Sequence, residues 1–435
     1  MMWVIAVLEL TEDKAVEIAL KNSPSILADS FDVLYAYEQS KEVGSSLWPS
    51  ISLQFGYTYN SYATTFQQII PTKWGFQEIP PGSGQGIVFP IEAETVGVQF
   101  NRHHNYRFTL SISRPLWSWW RMERGYQLQK ENTKAKYNDY LSKKAAYEYN
   151  IRMVYTLALL SKEALKIAEE NLKFSEKRLK LIEEAYKSGR ANGVDYLRAT
   201  ADYESAKANL LNAENNYKSS LKTLALFIGL PDTVEIELKD SLGSEDKSLP
   251  QVEIQRYDIA YLEEQVKILE SMSREELKGY LPTVLGQFSL NYQRPLGFED
   301  KWGSNWTAGI TLNWTLFDGL SPSVRSKKYK LQAEALKRRI EFLKLQAQKE
   351  IADAQREYEY AVAVLDAQEK GLNAMKKAFD LALEAYKSGR MTYTEFKQVE
   401  LAYWNAKLSY KKAISDVKLA KLKVKFLGLT SLASR

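Results

Sequence analysis

Residues 185–190 of this 435-residue chain read Ala-Tyr-Lys-Ser-Gly-Arg, and the same six residues return at 385–390. The spacing of 200 positions persists downstream, where Phe227-Ile228-Gly229-Leu230 faces Phe426-Leu427-Gly428-Leu429 with one residue lost. Solenoid repeats have periods of about 20–50 residues, far shorter than this one. The sequence therefore predicts a duplicated domain.

Both halves have the same predicted order of elements: helix, two strands separated by a loop, and a hairpin of two very long helices. The first half covers residues 1–230, and a linker or equatorial segment follows at 231–251. The second half covers residues 252–429, and a C-terminal tail covers 430–435. A Gly just past the end of a helix, with a Lys close by, is a typical helix stop. This places the tips of the predicted hairpins, 119–230 and 322–429, at residues 187–193 and 387–393.

The first long helix is predicted from Trp119 to Ser188, interrupted only by the tolerable Gly125. At ~1.5 Å per residue it would extend on the order of 100 Å. Its apolar residues repeat by sevens at Leu165, Leu172, Leu179 and Tyr186, with Ala168, Ser175 and Ile182 three places after the first three. A seven-residue repeat is the pattern of a coiled-coil seam. Such hairpins around one symmetry axis would form a hollow cylinder, although a solid coiled-coil rod explains the helices equally well.

Four segments alternate apolar and polar residues, at about 50–60, 105–117, 283–293 and 305–317. Their polar face is mostly uncharged, whereas soluble surfaces favour Lys and Glu. Aromatic residues gather at the segment ends: Trp48, Trp117, Trp119, Trp120, Trp302, Trp306, Trp314 and Phe317. Strands of this length with aromatic girdles are typical of a transmembrane β-barrel. A soluble sheet covered on one face by a helix is the alternative.

Four strands are too few to close a barrel, and an open edge in lipid leaves backbone groups unpaired at several kcal/mol each. The chain must therefore contribute its strands to a shared barrel. Two copies would supply about 8 strands and little lumen, and three about 12 and a usable pore.

Composition excludes several classes of protein. The net charge of +5 is the small difference between 59 basic and 54 acidic residues, so we expect no nucleic-acid partner. The absence of Cys excludes disulfides, thiolate metal sites and a cysteine nucleophile, and we expect no lipid anchor on such a residue. The two His, His103 and His104, are adjacent and lack metal-site spacing. With no nucleophile–base set or phosphate loop, we expect no enzyme, no metal and no cofactor.

Three shorter features complete the pattern. The sequence contains no run of about 20 apolar residues, so it predicts no membrane-spanning helix. Met1–Leu10 is apolar but short, and we interpret it as the end of a signal peptide or as an ordered N-terminus. Residues 61–104, which include Pro80-Pro81-Gly82-Ser83-Gly84, predict a long exposed loop.

Over essentially its full length, the chain resembles the TolC family of outer membrane factors. The resemblance rests on the duplication, on the opening Thr11–Asn22 (TEDKAVEIALKN), on the strand-to-helix corner Trp314–Gly319 (WTLFDG) and on the Tyr-x-x-Gly tips. It implies a mainly α fold with a transmembrane β-barrel portion. Three chains, with four strands each, would form a 12-stranded barrel that continues into an α-helical barrel tunnel.

The resemblance also implies a function and partners. The protein would be a passive pore of the bacterial outer membrane, extending into the periplasm. It would export drugs, toxic compounds or secreted proteins within a tripartite efflux or type I secretion system. Its partners would be two further copies in a homotrimer, a periplasmic adaptor, an inner-membrane pump or ABC exporter, and outer-membrane lipid. A soluble coiled-coil scaffold without membrane insertion is the competing hypothesis, but it leaves the aromatic girdle unexplained.

Functional positions of the family map onto the tips. Adaptor docking would fall on Ser188, Gly189, Arg190, Ser388, Gly389 and Arg390. An acidic constriction would fall on Asp195 and Glu395, for which plain first-turn helix charge is the alternative. A second acid found one turn later in some members is replaced by Arg198 and Gln398, which weakens any inference of strong cation selectivity.

A gate-latching Tyr of the family matches Tyr386, but its Arg partner would fall at Met391. The resemblance therefore implies a latch that is absent or remade with Asp195 and another donor.

Overall fold

The computed structural model describes residues 7–63, 65–99, 102–189, 191–231, 234–243, 248, 256–297 and 299–428. It confirms a mainly α-helical chain with a minority of strands. Contacts divide the chain into two compact units. The helical unit comprises Met1–Glu38, Lys130–Leu269 and Leu331–Arg435, and the strand unit comprises Gln39–Gln129 and Glu270–Lys330.

Seven α-helices are described: α1 (Glu12–Asn22), α2 (Pro24–Ser45), α3 (Arg121–Lys187), α4 (Gly193–Ile228), α5 (Tyr257–Leu277), α6 (Ser321–Lys387) and α7 (Tyr393–Gly428). The duplication reappears in their lengths, since α3 and α6 each have 67 residues and α4 and α7 each have 36. None of the described helices combines the length and the hydropathy needed to cross a lipid bilayer.

Eight strands are described: β1 (Val7–Leu10), β2 (Ser50–Tyr59), β3 (Thr65–Glu78), β4 (Gly86–Gln99), β5 (His104–Trp117), β6 (Glu235–Leu238), β7 (Thr283–Arg294) and β8 (Gly303–Asn313). They form a parallel pair β1–β6, a separate antiparallel pair β3–β4, and a four-stranded antiparallel sheet in the order β2-β5-β7-β8. The four strands of this sheet are the four predicted from alternation.

The main core of the helical unit lies around the short pair β1–β6. Leu10 and Leu238 are buried against Tyr155 of α3 and Ile414 of α7, among other core residues. The Tyr155 hydroxyl lies 2.7 Å from the carboxylate of Asp240, which satisfies this buried polar group. Val7–Leu10, the last four residues of the segment interpreted as the end of a signal peptide or an ordered N-terminus, is thus an ordered strand. Residues 1–6 lie outside the described residues.

The four-stranded sheet has one polar and one apolar face because side chains alternate along each strand. On the polar face, hydroxyl and amide groups form cross-strand hydrogen bonds: Ser50–Ser113 at 2.7 Å, Ser52–Ser111 at 2.9 Å, Thr109–Asn291 at 2.8 Å and Ser289–Thr307 at 2.7 Å. The large side chains of the apolar face are exposed, for example Ile51, Leu53, Phe55, Leu290, Trp306 and Ile310. Such an exposed apolar face marks a surface that contacts lipid or protein.

The prediction of a long loop over residues 61–104 is wrong, because β3 and β4 form an antiparallel hairpin of two 14-residue strands. The pairing is irregular between Pro71 and Trp74. Exposed apolar residues also lie at successive positions, as at Ile69 and Ile70, so strict alternation is absent. The other strands were predicted from alternating apolar and polar residues, and this segment lacks that alternation.

The strand-to-helix corners differ from their predicted bounds. Helix α3 begins at Arg121 rather than 119, and β8 ends at Asn313 rather than 317. In the first half Trp119 and Trp120 have φ values of 53° and 56°; the same two positions of the second half, Gly319 and Leu320, have 73° and 62°. Left-handed residues do not belong to an α-helix, so they set the starts of α3 at Arg121 and of α6 at Ser321.

Candidate functional site at the hairpin tips

Each hairpin turns through a glycine with a left-handed backbone. Gly189 has φ 70° and Gly389 has φ 72°, a conformation in which other L-residues are strained. The Gly189 amide donates to the Tyr186 carbonyl at 2.9 Å, and the Gly389 amide to the Tyr386 carbonyl at 3.0 Å, as in other glycine-terminated helices. The predicted docking residues of this region are exposed: Ser188, Gly189, Ser388, Gly389 and Arg390. The sixth, Arg190, lies outside the described residues.

The two predicted constriction acids lie in the first turns of α4 and α7, with different partners. Thr392 and Glu395 form a capping box, in which the Glu395 carboxylate accepts from the Thr392 amide at 2.9 Å and from its hydroxyl at 2.7 Å. These bonds lower the pKa of Glu395. The Asp195 amide donates to the Asn192 side chain at 2.7 Å. The Asp195 carboxylate itself has no hydrogen-bond or ion-pair partner in the described part of the chain.

A pair of stacked aromatic rings closes each tip. Tyr186 stacks on Tyr196 with ring centroids 5.3 Å apart, and Tyr386 stacks on Phe396 at 5.1 Å. The two pairs are 200 positions apart in sequence, so the duplication extends to side-chain packing. Burial raises the pKa of Tyr386, and the nearby Asp195 carboxylate raises it further. No described residue hydrogen-bonds the Tyr386 hydroxyl.

A buried cluster of charges, the tip cluster, lies next to these rings and consists of Arg178, Asp202, Tyr393, Lys397 and Glu400. Arg178 of α3 is 4% exposed and forms an ion pair with Glu400 of α7, which is fully buried. Arg178 also lies 3.5 Å from the carboxylate of Asp202 on α4. Lys397 lies 3.5 Å from Asp202 and 3.4 Å from Glu400. The Tyr393 hydroxyl donates to Asp202 at 2.5 Å. The cluster therefore joins α7 of the second hairpin to both helices of the first.

Burial dominates the electrostatics of this cluster. It raises the pKa of Tyr393, as does the hydrogen bond to Asp202. It lowers the pKa of Lys397, and the neighbouring guanidinium of Arg178 lowers it further. Removing one member of a buried ion pair typically costs about 3–5 kcal/mol, because the other charge loses its partner. Moving one of the three helices away from the others would therefore leave buried charges without their partners.

Sequence reasoning missed the tip cluster. Among the predicted seam residues, Ser175 and Ile182 are buried, whereas Leu172 and Leu179 are only half-buried. The buried stripe of α3 also includes Arg178, which the seam did not predict. Arg178 stands three residues after Ser175 and four before Ile182, which is the spacing of one helix face. A charged residue on the buried face of a helix could have indicated such a cluster. Glu400, which lies four residues after the buried Phe396, gives the same indication on α7.

In the strand unit, the predicted girdle residues lie toward the two ends of the sheet. One group is near the ends of β5 and β8 that lead into helices: Trp48, Trp117, Trp119, Trp120, Trp314 and Phe317. Trp302 and Trp306 lie toward the opposite end, where Trp302 stacks on Tyr292 at 5.1 Å. The Trp119 indole donates to the Pro282 carbonyl at 2.8 Å, and the other seven side chains are exposed.

The spacing between these groups suits a membrane. From Tyr106 to Leu116, β5 advances about 34 Å along its own axis. A strand tilt near 40° would reduce this to roughly the 25 Å of an outer-membrane apolar band. Among the residues that the structure describes, no three His, Asp or Glu side chains come together in a way that could hold a metal ion.

Comparisons with known proteins bear on both regions. The sequence model of a family described as outer membrane efflux protein matches residues 15–230 and 249–427. No curated protein matches the chain in sequence.

Solved structures share its fold. The CmeC outer membrane channel of Campylobacter jejuni superposes with a TM-score of 0.73 at 17% identity, covering 96% of this chain and 85% of that one. The outer membrane protein VceC of Vibrio cholerae gives 0.72 at 16% identity, covering 96% of each chain. The open state of the MtrE outer membrane channel of Neisseria gonorrhoeae gives 0.73 at 18% identity, covering 96% and 88%.

Proposed function

We propose, on the premise that this chain belongs to the outer membrane efflux protein family, that it is one of three identical subunits of a passive export channel. Membership of this family assigns the chain to the outer membrane as an efflux protein. The finer proposal concerns its assembly, its partners and its gate. The observation that carries it is the four-stranded sheet, which is open at both edges among the described strands and exposed on its apolar face.

The sheet supports a shared barrel by its unpaired edges. Among the described strands, β2 pairs only with β5, and β8 pairs only with β7. In lipid, each unpaired backbone group costs several kcal/mol, so the edges must be paired between chains. Joining β2 of one copy to β8 of the next makes a head-to-tail contact that closes into a ring. Three copies supply about 12 strands, enough for an aqueous lumen.

The hairpin tips support docking of a periplasmic adaptor. Their residues Ser188, Gly189, Ser388 and Gly389 are exposed, and the two glycines hold the same left-handed turn. Two similar turns in one chain would present a repeated surface to a partner that binds around the channel. In this proposal the adaptor connects the channel to an inner-membrane pump or ABC exporter, which supplies the energy for export of drugs, toxic compounds or proteins. The channel itself works without catalysis and without a cofactor.

The tip cluster supports a gate. Widening a passage between these hairpins requires α7 to move against α3 and α4, and the cluster joins those three helices. We infer that it is the latch of this chain. It replaces the pair that the family resemblance placed at Tyr386 and Met391, since no described residue bonds the Tyr386 hydroxyl. The predicted constriction by Asp195 and Glu395 remains part of the proposal.

Membrane fractionation followed by light scattering tests the assembly. We expect recovery from the outer membrane only with detergent, at three times the mass of one chain. A detergent-independent monomer or dimer would overturn the channel and favour the coiled-coil scaffold. Single-channel recording on the extracted trimer then tests the pore.

A further inference from the structure

The polar face of the four-stranded sheet carries one charged side chain. From β2 to β8 its cross-strand rows read Ser50, Ser113, Gln287, Gly309; then Ser52, Ser111, Ser289, Thr307; then Gln54, Thr109, Asn291, Asn305; then Gly56, Arg107, Gln293, Gly303. Arg107 is thus the sole ionised group of these rows. A single basic residue on an otherwise neutral face has no neighbour of opposite sign in its own layer.

The surroundings of Arg107 leave its guanidinium available. It lies opposite Gly56, which has no side chain, and it lines one cavity with Gln54, Asn291 and Gln293. Arg107 is exposed. Within the described residues, no carboxylate pairs with it. It is therefore unlike Arg294, which lines the same cavity but is bound to Asp300 at 2.9 Å.

Within the described residues, the acids of the loop between β7 and β8 are already paired, since Glu299 binds Lys301. Arg102 and Arg294 both bind the one carboxylate of Asp300, at 3.5 and 2.9 Å. This group of three has two positive charges and one negative charge. Together with Arg107 it gives this end of the polar face a positive balance.

We propose that Arg107 is an anion-binding residue of the lumen, and that three copies form a ring which selects solutes carrying carboxylate or phosphate groups. The inference rests on the proposed trimer, because the polar face lines a lumen only when the barrel is closed. Guanidinium remains ionised at any physiological pH, and its planar fork matches the oxygens of carboxylates and phosphates. Rings of Arg are a recognised basis of anion selectivity in pores. Low-dielectric walls focus the field of such a ring.

The chain has no Cys, so the variant Arg107→Cys introduces a single reactive thiol. The probe is tripolyphosphate, applied as a blocker to single trimeric channels in a planar bilayer. We expect wild-type channels to be blocked, and Arg107→Cys to need at least about tenfold more tripolyphosphate, since charge-assisted contacts are lost. Modification with a cationic methanethiosulfonate should restore the block, and modification with an anionic one should not. Arg107→Lys should retain most of it.

Two matched controls locate the effect. Phe108→Cys lies one residue away on the apolar face and should resist water-soluble reagents. Arg114→Gln removes a strand arginine from that face and should leave the block unchanged. If Arg107→Cys assembles poorly, Arg107→Gln repeats the comparison. Equal block in wild-type and Arg107 variants would overturn the anion site while leaving the channel intact. If neither the wild-type protein nor any variant formed channels, the proposed function itself would be overturned.

Discussion

The Tyr393 hydroxyl donates a hydrogen bond to the Asp202 carboxylate at 2.5 Å, and the two residues belong to different hairpins of the chain. Asp202 also lies near Arg178 and Lys397, so this bond is one part of a shared network. A fully satisfied network of this kind can stabilise a structure by more than the sum of its separate bonds. Substitutions within this network therefore test how the two tips are held together.

Tyr393→Phe removes this hydrogen bond and retains the ring. We expect α7 to loosen from α4 by about 1.5 kcal/mol, the lower end of the range for bonds to a charged group, because Asp202 is partly exposed. Amide exchange near residues 393–400 should accelerate, and channel conductance should rise. Tyr386→Phe is the control and should change neither quantity. The opposite result, opening by Tyr386→Phe alone, would restore the latch implied by the family resemblance.

Glu400→Gln leaves Arg178 without its buried carboxylate partner. We expect a loss of about 3 kcal/mol in the free energy of unfolding, toward the lower end for such pairs because Asp202 remains near Arg178. Thermal unfolding of the detergent-solubilised protein measures this loss. The double variant Arg178→Met with Glu400→Leu should recover much of the stability, since both charges leave the core together. Equal losses in the single and double variants would contradict a buried ion pair.

Gly389→Ala places a Cβ on a left-handed residue at a tip. We expect a cost of about 1–2 kcal/mol, because L-residues with a Cβ are strained at φ near 72°. Binding of the adaptor, followed by surface plasmon resonance, should weaken with the distorted turn. Gly371→Ala, in the interior of α6 with open space around its Cβ, should stabilise the helix by roughly 0.5–1 kcal/mol. It should leave adaptor binding unchanged.

Glu395 makes the cap of α7 sensitive to pH. Its pKa is lowered below the ordinary 4.5 by the bonds to Thr392. Its contribution is therefore complete above about pH 4.5 and is lost as the pH falls through the lowered value. We expect amide exchange of residues 392–396, corrected for its intrinsic pH dependence, to lose protection over that acidic window. Glu395→Gln keeps an acceptor for the cap and should abolish the pH dependence. Persistence of the transition in this variant would assign it to another group.

The sequence was sufficient to predict elements with a clear period. Two long hairpins followed from the repeat of 200 positions, and the sheet followed from alternation at residues such as Ile51 and Leu53. The β3–β4 hairpin was missed because apolar residues occur on both of its faces, which removes alternation. The tip cluster was missed because Arg178, Asp202 and Glu400 belong to three helices. Their proximity depends on tertiary packing, which the spacing within one helix does not encode.

The open edges β2 and β8 have a genetic consequence. If every pore needs three competent subunits, one faulty copy spoils the whole ring. A cell that makes normal and faulty chains in equal amounts would then keep only about one eighth of its pores fully normal, provided that the chains mix at random. A substitution that spares the edges but disables the lumen or the tips would behave as dominant in a mixed population. One that destroys both edge strands, β2 and β8, would be recessive, because such a chain pairs with no other copy.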